Sequence, residues 1–387
     1  MLLKNNKQTL DQVANLVKYA FLKKNDLTQD KNFLGRYNDA FNFGEEKDGQ
    51  LASYIMVNKF TSRIFDKEVK MGGVGYVSSY PENRGQGDIN RLMKEAIRYL
   101  HEHNYVISNL APFSESFYRR YGYENTIFQK EFHFKDNAIN NFKPLKNGRV
   151  IRGRLTDSTI NDAVISLYHN KFSRNSQRNT VLRENWWWDR INTYYPDRFT
   201  CVYFDENKIP QGYMFYEIDS PNMQVDEFYY QTPDAARALL SIIASHVSSN
   251  LNYHIKDAEN SLLNEFFPNQ DLLRINTFPY MMTRIIDMKQ TLNCMKLVNE
   301  RELVIKVYAD DIIEENNGSW KLIFKNKQMS VEKTSQSADY SATLTNWTKV
   351  LLGHLTLRQA VKLGFVKENR HQPNDFVKGE VSFYDYF

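Results

Sequence analysis

A predicted β-strand that leads through a short glycine loop directly into an amphipathic helix is the feature that most constrains the fold of this chain. Residues 69–79 form the strand, residues 84–87 form the loop, and apolar residues then recur at steps of three and four from Ile89 to Leu100. Such a loop exposes backbone N–H groups beside the unpaired first-turn donors of the helix, where the helix dipole is positive. Phosphate or pyrophosphate is the natural ligand there. Glycine spacing alone is equally compatible with a plain strand-to-helix turn.

The order of predicted elements indicates an α/β (α+β) fold of three domains. With 387 residues, the chain is long enough for two or three domains of about 150 residues. The first third has a helix at 10–21, strands at 51–57, 59–65 and 69–79, the helix at 89–100, a strand at 105–110 and a short helix at 116–121. After the polar stretch 135–147 a similar order returns, with a helix at 161–172, strands at 199–204, 212–218 and 225–230, and a helix at 235–247. Beyond residue 285, strands at 303–308, 319–325 and 328–333 precede helices at 346–352 and 357–363, which indicates a smaller α+β domain.

Composition and charge exclude several classes of protein. Hydrophobic residues make up 42% and charged residues 25%, as in ordinary soluble proteins. A mean hydropathy of -0.60 without an apolar run near about 18 residues argues against a membrane-spanning helix. The chain turns polar at Lys4, so we expect no signal peptide, and Cys201 and Cys294 are too few for a disulfide framework or a four-thiolate zinc site, which favours a cytoplasmic protein. A net charge of +4, spread along the chain, does not indicate nucleic-acid binding.

The glycine loop fits neither common nucleotide-binding motif. It lacks the Gly-x-x-x-x-Gly-Lys-Ser/Thr pattern, and Gly85-Gln86-Gly87 has no third glycine in the dinucleotide register. Arg84-x-x-Gly87-x-Ile89 is instead similar to the acetyl-CoA loop of the GCN5-related N-acetyltransferases, whose pattern is Gln/Arg-x-x-Gly-x-Gly/Ala. The last position departs from that pattern.

Four ordered motifs resemble one branch of that family, the "enhanced intracellular survival" (Eis) acetyltransferases. They are Pro81-x-x-Arg84-x-x-Gly87-x-Ile89-x-Arg91-Leu92, the segment 113–123 that ends in Tyr121-Gly122-Tyr123, Met282-Thr283-Arg284-Ile285-Ile286-Asp287, and the final residue Phe387. The resemblance implies tandem acetyltransferase-type domains followed by a sterol-carrier-like domain. We therefore expect a catalytic domain at 1–148, a degenerate acetyltransferase-like domain at 149–284, and a sterol-carrier-like domain at 285–387 that supplies the terminal carboxylate.

The resemblance also implies which residues contact acetyl-CoA. Those positions run along the end of the strand, through the glycine loop and into the segment after the next strand: Val77, Ser78, Ser79, Arg84, Gly85, Gln86, Gly87, Asp88, Ile89, Asn90, Phe113 and Ser114. Main-chain groups of the strand would bind the pantetheine arm and the oxyanion, and the loop would bind the pyrophosphate. Asp88 is an unfavourable neighbour for phosphate, although an acidic side chain suits the first turn of a helix when it points outward.

Tyr118 and Phe387 match the family's general acid and general base. A phenol, with a reference pKa near ~10, is suited to protonate a leaving thiolate whose own value is roughly 8.5. A core tyrosine is the alternative for Tyr118. The terminal carboxylate of Phe387 has a reference pKa near ~3.5 and needs desolvation or a water relay to accept a proton. The aromatic tail 383–387 supports an ordered terminus, although a tail packed only for stability fits as well. Asp385 is our candidate for binding the substrate ammonium.

Other candidates are weaker. The eight histidines are scattered, and His101 and His103 would face different sides of a helix, so we expect no metal site. The run 186–188 of three tryptophans favours buried packing or an oligomer interface over a binding platform. Glu45, Glu46 and Asp48 form an acidic group that is either solvated or attracts a polycation.

The second domain has no glycine at its corresponding junction, 229–235, and Pro233 there lacks an N–H group. Since such a backbone cannot surround a pyrophosphate, we expect one acetyl-CoA site per chain.

The function implied by the resemblance is acetyl-CoA-dependent N-acetylation of primary amines on a polyamine-like or aminoglycoside-like substrate. The family also implies a homo-oligomer, a hexamer. The alternative is a protein that binds a lipid or another small ligand in its sterol-carrier-like domain.

Overall fold

Two β-sheets organise the computed structural model, which describes residues 1–249, 251–373 and 375–387. The first part of the chain forms α1 (Lys7–Ala20), α2 (Lys31–Asn38), β1 (Ala40–Lys47), β2 (Gln50–Ile64), β3 (Lys67–Ser79), α3 (Asp88–Glu102), β4 (Ile107–Leu110), α4 (Glu115–Arg119), β5 (Glu124–Phe134) and α5 (Asp136–Ile139). The second part forms β6 (Arg149–Gly153), α6 (Ser158–Phe172), β7 (Arg178–Leu182), α7 (Asn185–Tyr194), β8 (Phe199–Phe204), β9 (Pro210–Asp219), β10 (Asn222–Tyr230), α8 (Pro233–Ala244), β11 (Asn252–Ala258) and β12 (Arg274–Ile285). The last part forms α9 (Met288–Cys294), β13 (Glu302–Tyr308), β14 (Gly318–Lys325), β15 (Gln328–Thr334), β16 (Tyr340–Thr343), α10 (Leu344–Leu351), α11 (Leu357–Lys362) and β17 (Lys367–Glu368).

The first two parts of the chain share one twelve-stranded sheet. Its order is β1-β2-β3-β4-β12-β5-β11-β10-β9-β8-β6, and β7 pairs with β2 off this path. Strand β5 lies between β12 and β11, antiparallel to both, so a strand from the first part joins strands from the second. The five-stranded sheet of the last part has the order β15-β14-β13-β16-β17. The expected α/β (α+β) fold is confirmed.

Most helices lie where their periodicity predicts them, but one strand prediction is wrong. The predicted strands 51–57 and 59–65 are a single strand, β2, which continues through Asn58. Asn58 is buried in that strand because its side chain is bonded on both sides: its amide donates to the Arg36 carbonyl at 2.8 Å, and its Oδ1 accepts from Arg36 Nε at 3.1 Å. Asn58, which separates the two predicted strands in the sequence, is thus a buried residue that holds α2 against β2.

The C-terminal tail, residues 381–387, returns from the second sheet to the first. Strand β7 binds the start of the tail, because Arg178 N donates to the Glu380 carbonyl at 2.8 Å and Thr180 Oγ1 donates to the Ser382 carbonyl at 2.6 Å. Gln129 Nε2 on β5 donates to the Phe383 carbonyl at 3.1 Å. The buried side chains of Val381, Phe383 and Phe387 join the same hydrophobic core as Phe60 and Trp187. The end of the chain is therefore packed in the interior beside β3.

Among the residues that the structure describes, no helix combines the length and the apolar character that crossing a membrane would require.

Candidate active site

Strand β3 extends beyond the end of its parallel neighbour β4, and the last residues of β3 line a cleft. Their parallel pairing runs from Met71 to Val74 and stops there, although β3 continues to Ser79. Tyr76 has a φ of 48°, and the register between β2 and β3 shifts at the same place. A non-glycine residue in this left-handed conformation costs about 1–2 kcal/mol, so the surrounding contacts must stabilise the bulge in β3. The edge of residues 75–79 that faces β4 thus has no strand partner within the described chain, and its main-chain groups face the cleft.

The glycine loop presents uncapped backbone donors at the start of α3. Gly85 and Gly87 have φ values of 79° and 82°, and Gly87 is the N-cap residue. No side chain caps the first turn of α3, so its N–H groups are available to a ligand. A Cβ atom at Gly85 would meet nothing within 4 Å, so the conformation rather than the space requires glycine there. These donors, at the positive end of a fifteen-residue helix, suit a pyrophosphate.

The Asp88 side chain points into the protein rather than outward. It is 2% exposed, and its carboxylate contacts Lys47 Nζ at 2.8 Å and Arg91 Nη2 at 2.5 Å. Burial by itself would raise the pKa of Asp88, but the two cations outweigh it and hold the pKa below its ordinary value. Because its negative charge is compensated on both sides, Asp88 does not leave an unpaired anion beside the loop.

A cleft of about 640 Å³, which we call the loop cleft, collects most of the predicted acetyl-CoA positions. Its lining includes Val77, Ser78, Ser79, Arg84, Gly85, Gly87, Asp88, Ile89, Asn90 and Phe113. The same cleft also contains residues that the sequence did not point to, namely Ala20, Phe21, Asn83, Phe117, Arg120 and Tyr121.

Two predicted positions lie outside that lining and have partners of their own. Gln86 accepts from Lys47 Nζ at 2.6 Å and donates to the Glu82 carbonyl at 3.0 Å. Ser114 caps α4 by accepting from Phe117 N at 3.4 Å. Both side chains shape the rim of the loop cleft rather than its wall.

Tyr118 lies on α4 beside the loop cleft. Its side chain is 3% exposed, and its ring packs edge-on against Phe113 at 5.2 Å and Phe117 at 5.1 Å between centroids. Burial, together with the neighbouring phenols of Tyr123 and Tyr121, raises the pKa of Tyr118 well above its ordinary value. The phenol is therefore protonated throughout the neutral range, as a proton donor must be.

Phe387 brings its carboxyl group to β3 just where the strand parts from β4. The position that a Cβ atom would take on Gly75 lies 3.1 Å from the Phe387 carboxyl carbon and 2.5 Å from Arg36 Nη2. The two groups therefore approach the same point of the strand, and only a glycine leaves room for both. Arg36 Nη2 is buried and has no hydrogen-bond partner within the described chain. The Phe387 ring is fixed by Phe60, with 4.9 Å between centroids.

Asp385 is bound from inside the protein. Its Oδ1 accepts from Arg183 Nε at 2.7 Å and from Trp187 Nε1 at 2.6 Å, and its Oδ2 accepts from the Tyr168 hydroxyl at 3.4 Å. Arg183 also pairs with Glu227 at 2.5 Å. Burial raises the pKa of Asp385 above its ordinary value even though Arg183 opposes the shift. This buried network holds the tail two residues before its end.

The remaining candidates have structural partners. Trp187 and Trp188 are buried on α7, which confirms the packing interpretation for those two residues. Glu45 lies on β1 and pairs with Arg91 at 3.2 Å.

At the second junction, Thr232 caps α8 by accepting from Ala235 N at 3.2 Å, and Pro233 occupies the first turn. The donors that α3 leaves uncapped at the first junction are thus partly occupied or absent at the second.

One cluster that sequence reasoning missed joins Glu131 and His133 on β5 to His254 on β11, with ligand atoms all within 4.8 Å of one another. Their pairing across neighbouring strands could be seen only in the sheet. Lys256 pairs in register with Glu131, and Arg274 on β12 pairs with His133, so two cations flank the cluster. Their charge disfavours a metal ion there.

Family models match three consecutive segments of the chain. Residues 4–126 and residues 180–285 each match an acetyltransferase (GNAT) domain, and residues 289–379 match a sterol carrier protein domain. No curated protein is similar enough in sequence to match.

Solved structures share the fold over the whole chain. A conserved protein from Enterococcus faecalis V583, described as a probable N-acyltransferase, is 27% identical with a TM-score of 0.89, covering 100% of this chain and 99% of its own. A GCN5-related N-acetyltransferase from Anabaena variabilis ATCC 29413 is 19% identical with a TM-score of 0.86, covering 100% of both chains. Eis1 from Mycobacterium abscessus is 14% identical with a TM-score of 0.79, covering 100% of this chain and 99% of its own.

Proposed function

Because this chain carries two acetyltransferase (GNAT) domains, whose fold implies acetyl-CoA as co-substrate, we propose that it is an Eis-like enzyme that acetylates a primary amine in the site formed by the loop cleft, Tyr118 and Phe387. The observation that carries this proposal is the position of the Phe387 carboxyl group, which lies at Gly75 where β3 leaves β4.

The loop cleft would hold acetyl-CoA mainly through the backbone. Uncapped N–H groups at the start of α3 face the pyrophosphate, and Arg84 and Arg120 in the lining add positive charge. The free edge of residues 77–79 offers main-chain groups to the pantetheine arm, and an N–H on this edge would stabilise the oxyanion of the tetrahedral intermediate. The junction before α8 lacks these features, so one acetyl-CoA binds per chain.

Tyr118 acts as the general acid. Its phenol stays protonated because burial raises its pKa, and it lies on α4 next to Phe117, which lines the loop cleft. When the thioester breaks, the phenol donates its proton to the leaving sulfur. Tyr121 also lines the cleft, but it does not occupy the motif position of the acid.

The Phe387 carboxylate acts as the general base. It removes a proton from the substrate ammonium, which leaves a neutral amine able to attack the thioester carbonyl. Packing against Phe60 and Trp187 keeps water away from the tail and strengthens the carboxylate as a base, because a desolvated carboxylate holds its charge less readily. The Asp385 network holds the tail in position two residues before this group. In this arrangement Asp385 fixes the tail through Arg183 and Trp187, rather than binding the substrate ammonium as the sequence predicts.

We also propose that the domains divide at residues 148 and 284, and that the sterol-carrier-like domain positions the C-terminal tail at the first domain. The same proposal includes a polyamine-like or aminoglycoside-like acceptor, a hexameric assembly and a cytoplasmic location. These statements rest on the resemblance to the family and on the cysteine content.

A thiol-release assay tests the proposal. Acetyl-CoA is first titrated into the protein, and a panel of primary amines is then tested for coenzyme A release and for the N-acetylated product by mass spectrometry. We expect saturable acetyl-CoA binding and amine-dependent release. Binding without release for every amine would contradict the enzymatic function and favour a ligand-binding protein.

A further inference from the structure

A second cavity, the tail cavity, lies between α7, the large sheet and the C-terminal tail. Its volume is about 260 Å³, and its lining includes Tyr280, Tyr386, Trp187 and the charged residues discussed below. It opens beside the proposed catalytic centre: Trp187 packs against the Phe387 ring with 6.3 Å between centroids. Tyr386 and Asp385, which immediately precede Phe387 in the chain, also line this cavity. An acceptor amine at Phe387 would therefore have the rest of its molecule in this cavity.

Two arginines in the cavity wall contact no acidic side chain, although the charges of Glu227 and Asp226 act on Arg198 and that of Asp385 acts on Arg190. Arg190 and Arg198 are 9% and 7% exposed, and neither forms an ion pair or a side-chain hydrogen bond within the described chain. Arg190 Nε and Arg198 Nη2 are buried donors without an acceptor. A buried charged donor left unpaired is costly, and such groups are normally satisfied by a partner.

Aromatic rings support the flat faces of these guanidinium groups. Arg198 lies 4.4 Å from the Tyr195 ring centroid and 4.3 Å from that of Phe215. Arg190 lies 4.4 Å from Trp187 and 4.6 Å from Tyr194. Stacking of this kind holds a guanidinium in place by its faces and leaves the N–H groups at its edges free to bind.

The acidic residues of the cavity, by contrast, are all paired. Glu227 and Asp385 both bind Arg183, and Asp226 lies 3.7 Å from Lys256. The wall thus holds four cationic and three acidic side chains, so it carries one uncompensated positive charge near Arg190 and Arg198.

We propose that the tail cavity binds a carboxylate or similar single anionic group of the acceptor, so that the substrate carries an anion at one end and the reacting amine at the other. The inference rests on the proposed function, because it assigns the amine end to Phe387. One negative charge would neutralise the wall, and a carboxylate matches the two-pronged donor geometry of a guanidinium. Among the primary amines of the proposed function, the cavity therefore favours acceptors that also carry an anionic group over those with cationic groups alone, which would add positive charge to the wall.

Matched acceptor series test this inference. We would compare ω-amino carboxylates, n-alkylamines and α,ω-diamines of two to six carbons as acceptors for the wild-type protein and for Arg198→Gln, Arg198→Lys and Arg237→Gln. Arg237 is the control, since it also lies over an aromatic ring but is exposed on α8 and pairs with Asp234.

For the wild-type protein, kcat/KM should be highest for an ω-amino carboxylate. Arg198→Gln should lower kcat/KM for that acceptor by about 10-fold or more, the size expected for a lost charged hydrogen bond. It should leave the n-alkylamine within about 3-fold, and Arg198→Lys should recover part of the loss because it restores the charge. Acetyl-CoA titration confirms that each variant is folded. A preference for diamines, or an equal loss for all three series, would overturn the inference while leaving the proposed function intact.

If no amine of any series releases thiol, the proposed function fails. Titration with an unreactive ω-acetamido carboxylate then still decides on the anion site. Arg198→Gln should bind it about 10-fold more weakly than the wild-type and Arg237→Gln proteins, and equal binding by all three would contradict the site.

Discussion

Replacing Gly75 by alanine perturbs the proposed catalytic centre at its narrowest point. The added methyl group would lie 2.5 Å from Arg36 Nη2 and 3.1 Å from the Phe387 carboxyl carbon, so at least one of them must move. Gly75 is not among the glycines with positive φ, which means that its backbone accommodates alanine and that the contact itself produces the effect. Arg36 is held by Asn58, and Phe387 by the packed tail, so neither group can move freely.

The expected magnitude follows from these distances. Overpacking of this kind typically costs about 1–3 kcal/mol in stability. A displacement of about 1 Å in a reacting group can lower kcat by about 10²-fold. The affinity for acetyl-CoA should change little, because the loop cleft lining on β3 begins at Val77 rather than Gly75.

Steady-state thiol release gives kcat, isothermal titration gives the acetyl-CoA affinity, and urea denaturation gives the stability. Gly35→Ala is the matched control, since Gly35 precedes Arg36 on α2 and a Cβ atom there would meet nothing within 4 Å. It should keep kcat and gain about 0.5–1 kcal/mol, as alanine does in a helix. A folded Gly75→Ala protein with wild-type kcat would refute the placement of the base at this strand.

Three further outcomes are expected. Tyr118→Phe should lower kcat by about 10²–10⁴-fold at unchanged acetyl-CoA affinity, and wild-type kcat in this variant would argue against the role. Because burial raises the pKa of Tyr118, its acid form persists, and kcat should not fall between pH 8 and pH 10 through its ionisation. A fall in that range that Tyr118→Phe abolishes would contradict the raised pKa. Asp385→Asn should lower the free energy of unfolding, measured by urea denaturation, by about 3 kcal/mol; this is the lower end for breaking a buried ion pair, because Glu227 still binds Arg183. The variant should also lower kcat by releasing the tail, and an unaltered kcat would argue against Asp385 as the residue that holds the tail. Equilibrium dialysis should find one acetyl-CoA per chain, and two would contradict the prediction that the junction before α8 cannot bind a pyrophosphate.

The sequence predicts those parts of the fold that depend on local periodicity. Helix α3 and the glycine loop follow from the repeat between Ile89 and Leu100 and from Gly85 and Gly87. The sequence does not predict strands β5, β11 and β12, because their place in the sheet depends on pairing between distant segments. Phe132, for example, pairs in register with both Ile255 and Ile275.

The site shows the same division between local and distant contacts. The position of Tyr118 follows from a contiguous motif. The inward turn of Asp88 depends on Lys47, and the anchoring of Asp385 depends on Arg183, which is 202 residues away in the chain. The approach of Arg36 and Phe387 to Gly75 likewise joins three segments that no sequence pattern connects.

The measurement that tests the central claim most directly is turnover by a protein extended by one glycine after Phe387. The extension converts the Phe387 carboxylate into an amide, which can no longer accept the proton, and moves the new terminus away from Gly75. We predict unchanged acetyl-CoA affinity and a loss of turnover of at least about 10²-fold, the lower range for removing a general base. Wild-type turnover by the extended protein would contradict the claim that the chain terminus completes the active site.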